Sequence, residues 1–529
     1  MRRLPSLLLP LLALPLPCRA ADDEPAPADP VAIEAQVKLI AEEYEALRSN
    51  QDLVPVRRRR ELARRLGTLK SSKSADILNL MIEEDGDART QIFALYSVAK
   101  VGDLKALARA YRKVLKEQRS VLPHYLGRAF GMASDPAAGM WIIDKILKNG
   151  NRTIRLGAVE ALGLLRTPEA NGPILEIVAK EERRDQADLH LYYEALRTLG
   201  FIGGEGAKPV LLAAAVNGDW RVRLAAAEAL VSRQRAPDAI EAQRKLLKDE
   251  VAIVRETAAV ASGAARLEPL FPELILLMRE GNLRSKVKSF EAMKAVSGVD
   301  YGYAPDAWDK WWRDKQAGRL TEFGEIKNRE TISIGSYYNF RIYSDRVLFV
   351  VDVSGSMQWP DYHPNRIEVA KRELKKAIES LSEQTLFNLM TFAGSTAHWE
   401  KGEVPASDAN KRRALEWAEK FLLPRGGTNT DLALEESLTK NPLVDTVFFL
   451  SDGIPSAGKV EVPEEILVRH RYNNRFRKVI FNTVALAIGK ASIEKAIKYE
   501  DPDEMAAFMT LIAEENGGTC VDIRKPWAD

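Results

Sequence analysis

Cysteine is nearly missing from this 529-residue chain, which has two, Cys18 and Cys520. Loss of Cys18 with a cleaved leader would leave one thiol, so no intrachain disulfide could staple the fold. Stability must then come from packing, which a chain of this length can supply. Histidine is also scarce, with five residues. Charge of one sign is lacking: 77 Lys and Arg stand against 75 Asp and Glu, for a net charge of +2. That balance gives no sign of a nucleic-acid partner. The basic run Arg57–Arg60 has acidic neighbours and reads as a solvated helix face. Beyond the first residues, no apolar stretch approaches the roughly 20 residues that span a bilayer. The G-x-S-x-G elbow and the G-x-x-x-x-G-K-[ST] loop are absent, which argues against a serine hydrolase and a built-in NTPase. The chain is therefore expected not to be an enzyme.

What is present begins with a leader. Arg2 and Arg3 precede an apolar run, Leu4 to Pro17, and Cys18-Arg19-Ala20 puts small residues where a signal peptidase reads. Residues 1–20 are expected to be a signal peptide cut after Ala20, giving a secreted or periplasmic protein. An uncleaved anchor and a lipid attached at Cys18 are the weaker alternatives. Residues 21–32, rich in Ala, Pro and acid, read as a disordered linker.

From 33 to 318 the apolar spacing is helical. Ile154-Arg155-Leu156-Gly157-Ala158-Val159-Glu160-Ala161-Leu162 returns as Val222-Arg223-Leu224-Ala225-Ala226-Ala227-Glu228-Ala229-Leu230. Weaker copies start at Val254-Arg255 and Val287-Lys288. The period is about 32 residues, or twice that where one copy has degenerated, and polar turns such as Asn217-Gly218-Asp219 precede the copies. Each unit reads as two helices, with Ala158, Ala161, Ala226 and Ala229 letting neighbours pack closely. Arg155, Arg223 and Arg255 are expected to bond the preceding turn. The copies resemble HEAT-type repeats, which implies an all-α, armadillo-like solenoid whose units bury their apolar faces against one another. Trp308, Trp311 and Trp312 share a helix face and read as a cap on the last layer. Residues 319–344 lose helical periodicity and read as a linker with one short strand.

From 345 to 524 strand and helix patterns alternate, which argues for a doubly wound, Rossmann-like α/β domain. Val347-Leu348-Phe349-Val350-Val351 is continuously apolar, as a strand buried on both faces should be. Further strands are expected at 386–392, 446–450, 480–487 and 519–523. Ligands in such sheets bind at the carboxyl ends of strands. Three polar segments fall there: Asp352-Val353-Ser354-Gly355-Ser356, Gly426-Gly427-Thr428-Asn429-Thr430 and Ser451-Asp452-Gly453. Their donors are all carboxylate or hydroxyl oxygens, which suit Mg²⁺, and also Mn²⁺ or Ca²⁺, better than Zn²⁺.

This D-x-S-x-S, Thr and Asp order resembles the von Willebrand factor type A domain with its metal-ion-dependent adhesion site. The resemblance implies that Asp352, Ser354, Ser356, Thr428 and Asp452 carry the ion, with Thr430 as second choice to Thr428. It also implies an adhesion or assembly function, in which the ion accepts an Asp or Glu from a protein partner and the solenoid offers a second surface. The alternative is an adaptor for a separate ATPase of the chelatase type.

Overall fold

A computed structural model of the chain describes residues 29–50, 53–116, 122–184, 188–230, 236–319, 335–338, 340–359, 365–453, 455–486 and 502–523. The expected leader, most of the linker behind it, and residues 320–334 of the second linker lie outside the described residues. The described residues divide into two compact units, one up to Gln243 and one from Arg244 onward.

The first unit is built of helices whose starts are chemically marked. Asp87, Asn151, Asp188 and Asp219 each accept from a backbone N–H of the first turn with their side chains. Such a cap is worth about 1 kcal/mol. The helices 152–165, 189–202, 220–229, 252–264 and 283–297 start at intervals of about 31 to 37 residues. Helix 189–202 is the degenerate copy that the sequence pattern skips. The fourth expected copy is shifted: Asn282 caps its helix, so Ser285 and Lys286, not Val287 and Lys288, stand where Val254 and Arg255 stand. Arg223 bonds the carbonyls of Asn217 and Gly218 at 2.9 and 3.2 Å, and Arg255 those of Asp249 and Glu250 at 2.6 and 3.0 Å. Among the described residues Arg155 makes no such bond, and its Nε is buried without a partner.

Close packing of these helices uses glycine as well as the buried alanines Ala158, Ala161, Ala226 and Ala229. A Cβ on Gly127 would lie 2.5 Å from the carbonyl oxygen of Gly157, and one on Gly200 2.7 Å from that of Ala229. The basic run is a solvated face only in part: Arg57 is exposed, and the other three are paired. Arg59 is fully buried in an ion pair with Asp85 at 2.8 Å, Arg58 pairs with Glu43 and Glu61, and Arg60 with Asp87.

The second unit holds the last repeats and the α/β domain. Trp308 and Trp311 are buried around Phe271, against which Trp312 stacks at 5.1 Å. The cluster thus belongs to the core. A two-strand hairpin follows, β1 (Ser336–Tyr337) and β2 (Phe340–Arg341). The main sheet has β3 (Arg346–Asp352), β4 (Leu386–Phe392), β5 (Thr396–His398), β6 (Val404–Pro405), β7 (Thr446–Ser451), β8 (Ile480–Ala485) and β9 (Cys520–Asp522). Its order is β5-β4-β3-β7-β8-β9, with β6 also on β4. β4, β3, β7, β8 and β9 are parallel, and β5 and β6 run antiparallel to β4. Helices α1 (Arg366–Ser380), α2 (Asp408–Phe421), α3 (Thr430–Thr439), α4 (Pro463–Asn474) and α5 (Pro502–Glu515) accompany the sheet.

The central strand shows why its sequence has no alternation. Val347, Phe349 and Val351 join one buried cluster with α1 and α2, while Leu348 and Val350 join the other with α3, α4 and α5. Both faces are covered, so every position is apolar. β3 lies between β4 and β7, so the winding direction reverses at β3 and β7. That is the switch point where such sheets leave a crevice beyond the strand ends. Among the described residues no helix is long and apolar enough to cross a membrane.

Candidate metal centre

Asp352 is the last residue of β3 and is fully buried. Its Oδ1 accepts from the backbone N–H of Ser354 at 2.7 Å, which turns the chain over the strand end. The next residues form a short 3₁₀ turn, Gly355–Gln358, with Met357 sunk into the core. This anchor points the turn so that Ser354 and Ser356 lie side by side, their hydroxyls 3.1 Å apart.

Asp452 arrives from the neighbouring strand, directly after β7. Its Oδ1 accepts from Ser356 Oγ at 2.8 Å and from Ser354 Oγ at 3.4 Å. Ser354, Ser356 and Asp452 therefore meet through their side chains, and Asp352 joins them through the backbone N–H of Ser354. Thr428 comes in on the adjacent loop. That loop is tied to the first by two backbone bonds, Gly355 N–H to the Gly426 carbonyl at 2.9 Å and Arg425 N–H to the Val353 carbonyl at 2.7 Å. Gly426 has a φ of +64°, which lets the loop fold back. Thr428 is buried, and its backbone is held on both sides by Ser456. Its hydroxyl makes no bond to the other four among the described residues. Thr430, the second choice, opens α3 and is buried, and its hydroxyl has no hydrogen-bond partner among the described residues.

Two residues at the site escaped the sequence reading. Ser451, the end of β7, donates to Asp352 Oδ2 at 2.5 Å. Arg366, the first residue of α1, donates from Nη1 to Asp452 Oδ2 at 2.6 Å, with both side chains fully buried. Ser451 stands beside Asp452 in the Ser-Asp-Gly triplet and could have been assigned with it. Arg366 had only a faint signal, a base in a helix's first turn, where the macrodipole disfavours positive charge.

The electrostatics test whether an ion would fit. Burial, and then the negative charge of Asp452, push the Asp352 carboxyl well above the usual carboxylate range. Burial also raises Asp452, against the pull of Arg366. Two acids that resist ionisation together are stabilised by a cation between them. Among the described residues no three His, Cys, Asp or Glu side chains gather as a metal site. The donor set here is two carboxylates and hydroxyls, hard oxygen throughout, which matches Mg²⁺ or Ca²⁺ chemistry. The residues fit such an ion.

The comparisons agree with this architecture. A family model for the von Willebrand factor type A domain matches residues 345–498, and one for HEAT repeats matches residues 184–263. The chain carries a von Willebrand factor type A domain behind HEAT repeats. Mouse inter-alpha-trypsin inhibitor heavy chain 4 is 30% identical over 132 residues, 23% of this chain and 13% of that protein. Human inter-alpha-trypsin inhibitor heavy chain H4 is 28% identical over 187 residues, 32% of this chain and 17% of that protein. The matches thus span under a fifth of these relatives. Among solved structures, a von Willebrand factor type A protein from Catenulispora acidiphila is 20% identical, covering 34% of this chain and 39% of its own, with a TM-score of 0.26.

Proposed function

We propose that this is an exported, non-enzymatic scaffold protein whose type A domain binds a divalent metal and grips an acidic residue of a protein partner. Domains of this type generally mediate protein–protein interactions. The observation that carries the metal reading is the meeting of Asp352, Ser354, Ser356 and Asp452 at the switch point of the sheet. Together with Thr428 they would hold Mg²⁺, or Mn²⁺ or Ca²⁺ in its place. The ion would supply a Lewis-acidic position for a partner's Asp or Glu.

The protein's own part is to present few charges at that position. Two carboxylates face the site, and Arg366 already offsets the charge of one of them, so a bound divalent ion stays short of negative charge. Ser451 and the Ser354 N–H hold Asp352 in one orientation, so little rearrangement is needed when the ion enters. The solenoid would give a second interaction surface. The leader, Arg2 to Ala20, supports delivery to the periplasm or the exterior.

Calorimetric titration of the full chain with Mg²⁺, Mn²⁺ and Ca²⁺ tests the centre. The wild-type chain is expected to take up one ion, and Asp352→Ala to take up none while keeping its helical circular dichroism. Co-purification of partners in Mg²⁺, followed by release in EDTA, tests the gripping role. A partner retained equally in EDTA would count against it.

A further inference from the structure

Arg366 stands where local helix chemistry does not favour it. It opens α1, and the unpaired N–H groups of a first turn make a poor neighbour for a cation. It is also fully buried, a costly state for a guanidinium unless it is paired. Its partner is Asp452, at 2.6 Å, and the Trp359 ring lies 5.2 Å from the guanidinium carbon. An apolar side chain could fill that volume without the desolvation cost. The two oxygens of Asp452 have different tasks. Oδ1 faces the serine hydroxyls of the metal centre, while Oδ2 takes Arg366.

We infer that Arg366 is the resident counter-cation of the metal centre, orienting Asp452 when no ion is bound and weakening the site's affinity for the ion. This rests on the metal reading above. The charge count gives the consequence. Two carboxylates alone would neutralise a divalent ion completely. With Arg366 beside them, the loaded centre keeps one positive charge in surplus, which a partner's carboxylate can neutralise. Arg366 thus favours the ion and acidic ligand together over the ion alone. It is a positioning residue and not a ligand of the ion.

The test uses the full chain as wild type, Arg366→Gln and Arg366→Lys. Mg²⁺ affinity is measured by calorimetry, and unfolding midpoints are taken in EDTA and in Mg²⁺. Removing a unit charge that shares a carboxylate with the ion should tighten Mg²⁺ binding about tenfold or more in Arg366→Gln. The same variant should unfold below wild type in EDTA and recover in Mg²⁺. Arg366→Lys keeps the charge and should stay within about threefold of wild-type affinity. A residue that only packs would lower both midpoints equally and leave the affinity unchanged, and that result overturns the inference. Should Arg366→Gln be unfolded in EDTA, its restoration by Mg²⁺ is required, and failure to restore counts against the role. Uptake by neither wild type nor Arg366→Gln defeats the metal reading itself. Uptake by both with one constant defeats only the role given to Arg366.

Discussion

His470 shows how one buried side chain outside the candidate metal centre can set a pH dependence. It sits on α4 with its ring edge-on to Phe481 at 4.4 Å, and neither ring nitrogen has a hydrogen-bond partner among the described residues. Burial holds its pKa down at about 4, well below the ordinary 6.5. The nearby Glu515 acts in the opposite direction without overcoming burial and is itself engaged by Arg471 at 3.0 Å. The unfolded chain takes up this proton near pH 6.5, the folded chain only near 4. Stability is therefore complete above about 6.5 and is lost progressively as pH falls towards 4, by ~3 kcal/mol at the low end. Denaturant unfolding between pH 7 and 4 should show this acid slope, and His470→Leu should remove its share. An unchanged slope in that variant would refute the assignment. Cys520 is half-buried on β9, and burial raises its thiol, so it should be a slow nucleophile.

At the scale of elements, the repeat helices approach one another at single glycines, and the strands at continuous apolar runs. The glycine contacts are the more fragile. A methyl group added at Gly200 would meet the backbone of Ala229, which cannot rotate away. Gly200→Ala should therefore cost about 1–3 kcal/mol, whereas the same change at Gly150, which faces open space, should cost far less. Thermal unfolding of the two variants side by side checks this. The legibility of the elements follows the same physics. β3, β4 and β7 were readable because burial on both faces demands uninterrupted hydrophobicity. β5 and β6 were not, because two or three residues against one side of β4 leave too short a pattern. The weakest repeat copy was misplaced because Ser285 and Lys286 replace the usual apolar and arginine pair, and only the Asn282 cap marks its start.

At the scale of the second unit, one arginine ties the last repeat to the end of the sheet opposite the candidate metal centre. Arg284 is buried, pairs with Glu256 at 2.9 Å, and donates to the carbonyls of Asp445 and Lys478 at 3.0 and 2.7 Å. Those carbonyls precede β7 and β8, while Asp452 follows β7, roughly 20 Å away along a six-residue strand. Arg284→Met would leave Glu256 buried with its charge unmatched, at a cost of about 3–5 kcal/mol. Urea unfolding should register that loss. Mg²⁺ affinity should not change, because the strand separates the two sites. A changed affinity would mean that the ends of the sheet are coupled.

The sequence by itself determined that helical repeats precede an α/β domain and where its central strands lie, and it named oxygen-bearing residues at their ends as candidates. These follow from short-range rules: helical and strand periodicity, capping, and the placement of polar groups after apolar runs. Only the tertiary structure decided which charges are paired. Arg59 with Asp85, Arg284 with Glu256 and Arg366 with Asp452 each join residues far apart in the chain. A charge looks the same in sequence whether it ends in water or in the core. Its partner is chosen by which surfaces the packing of helices and strands brings together.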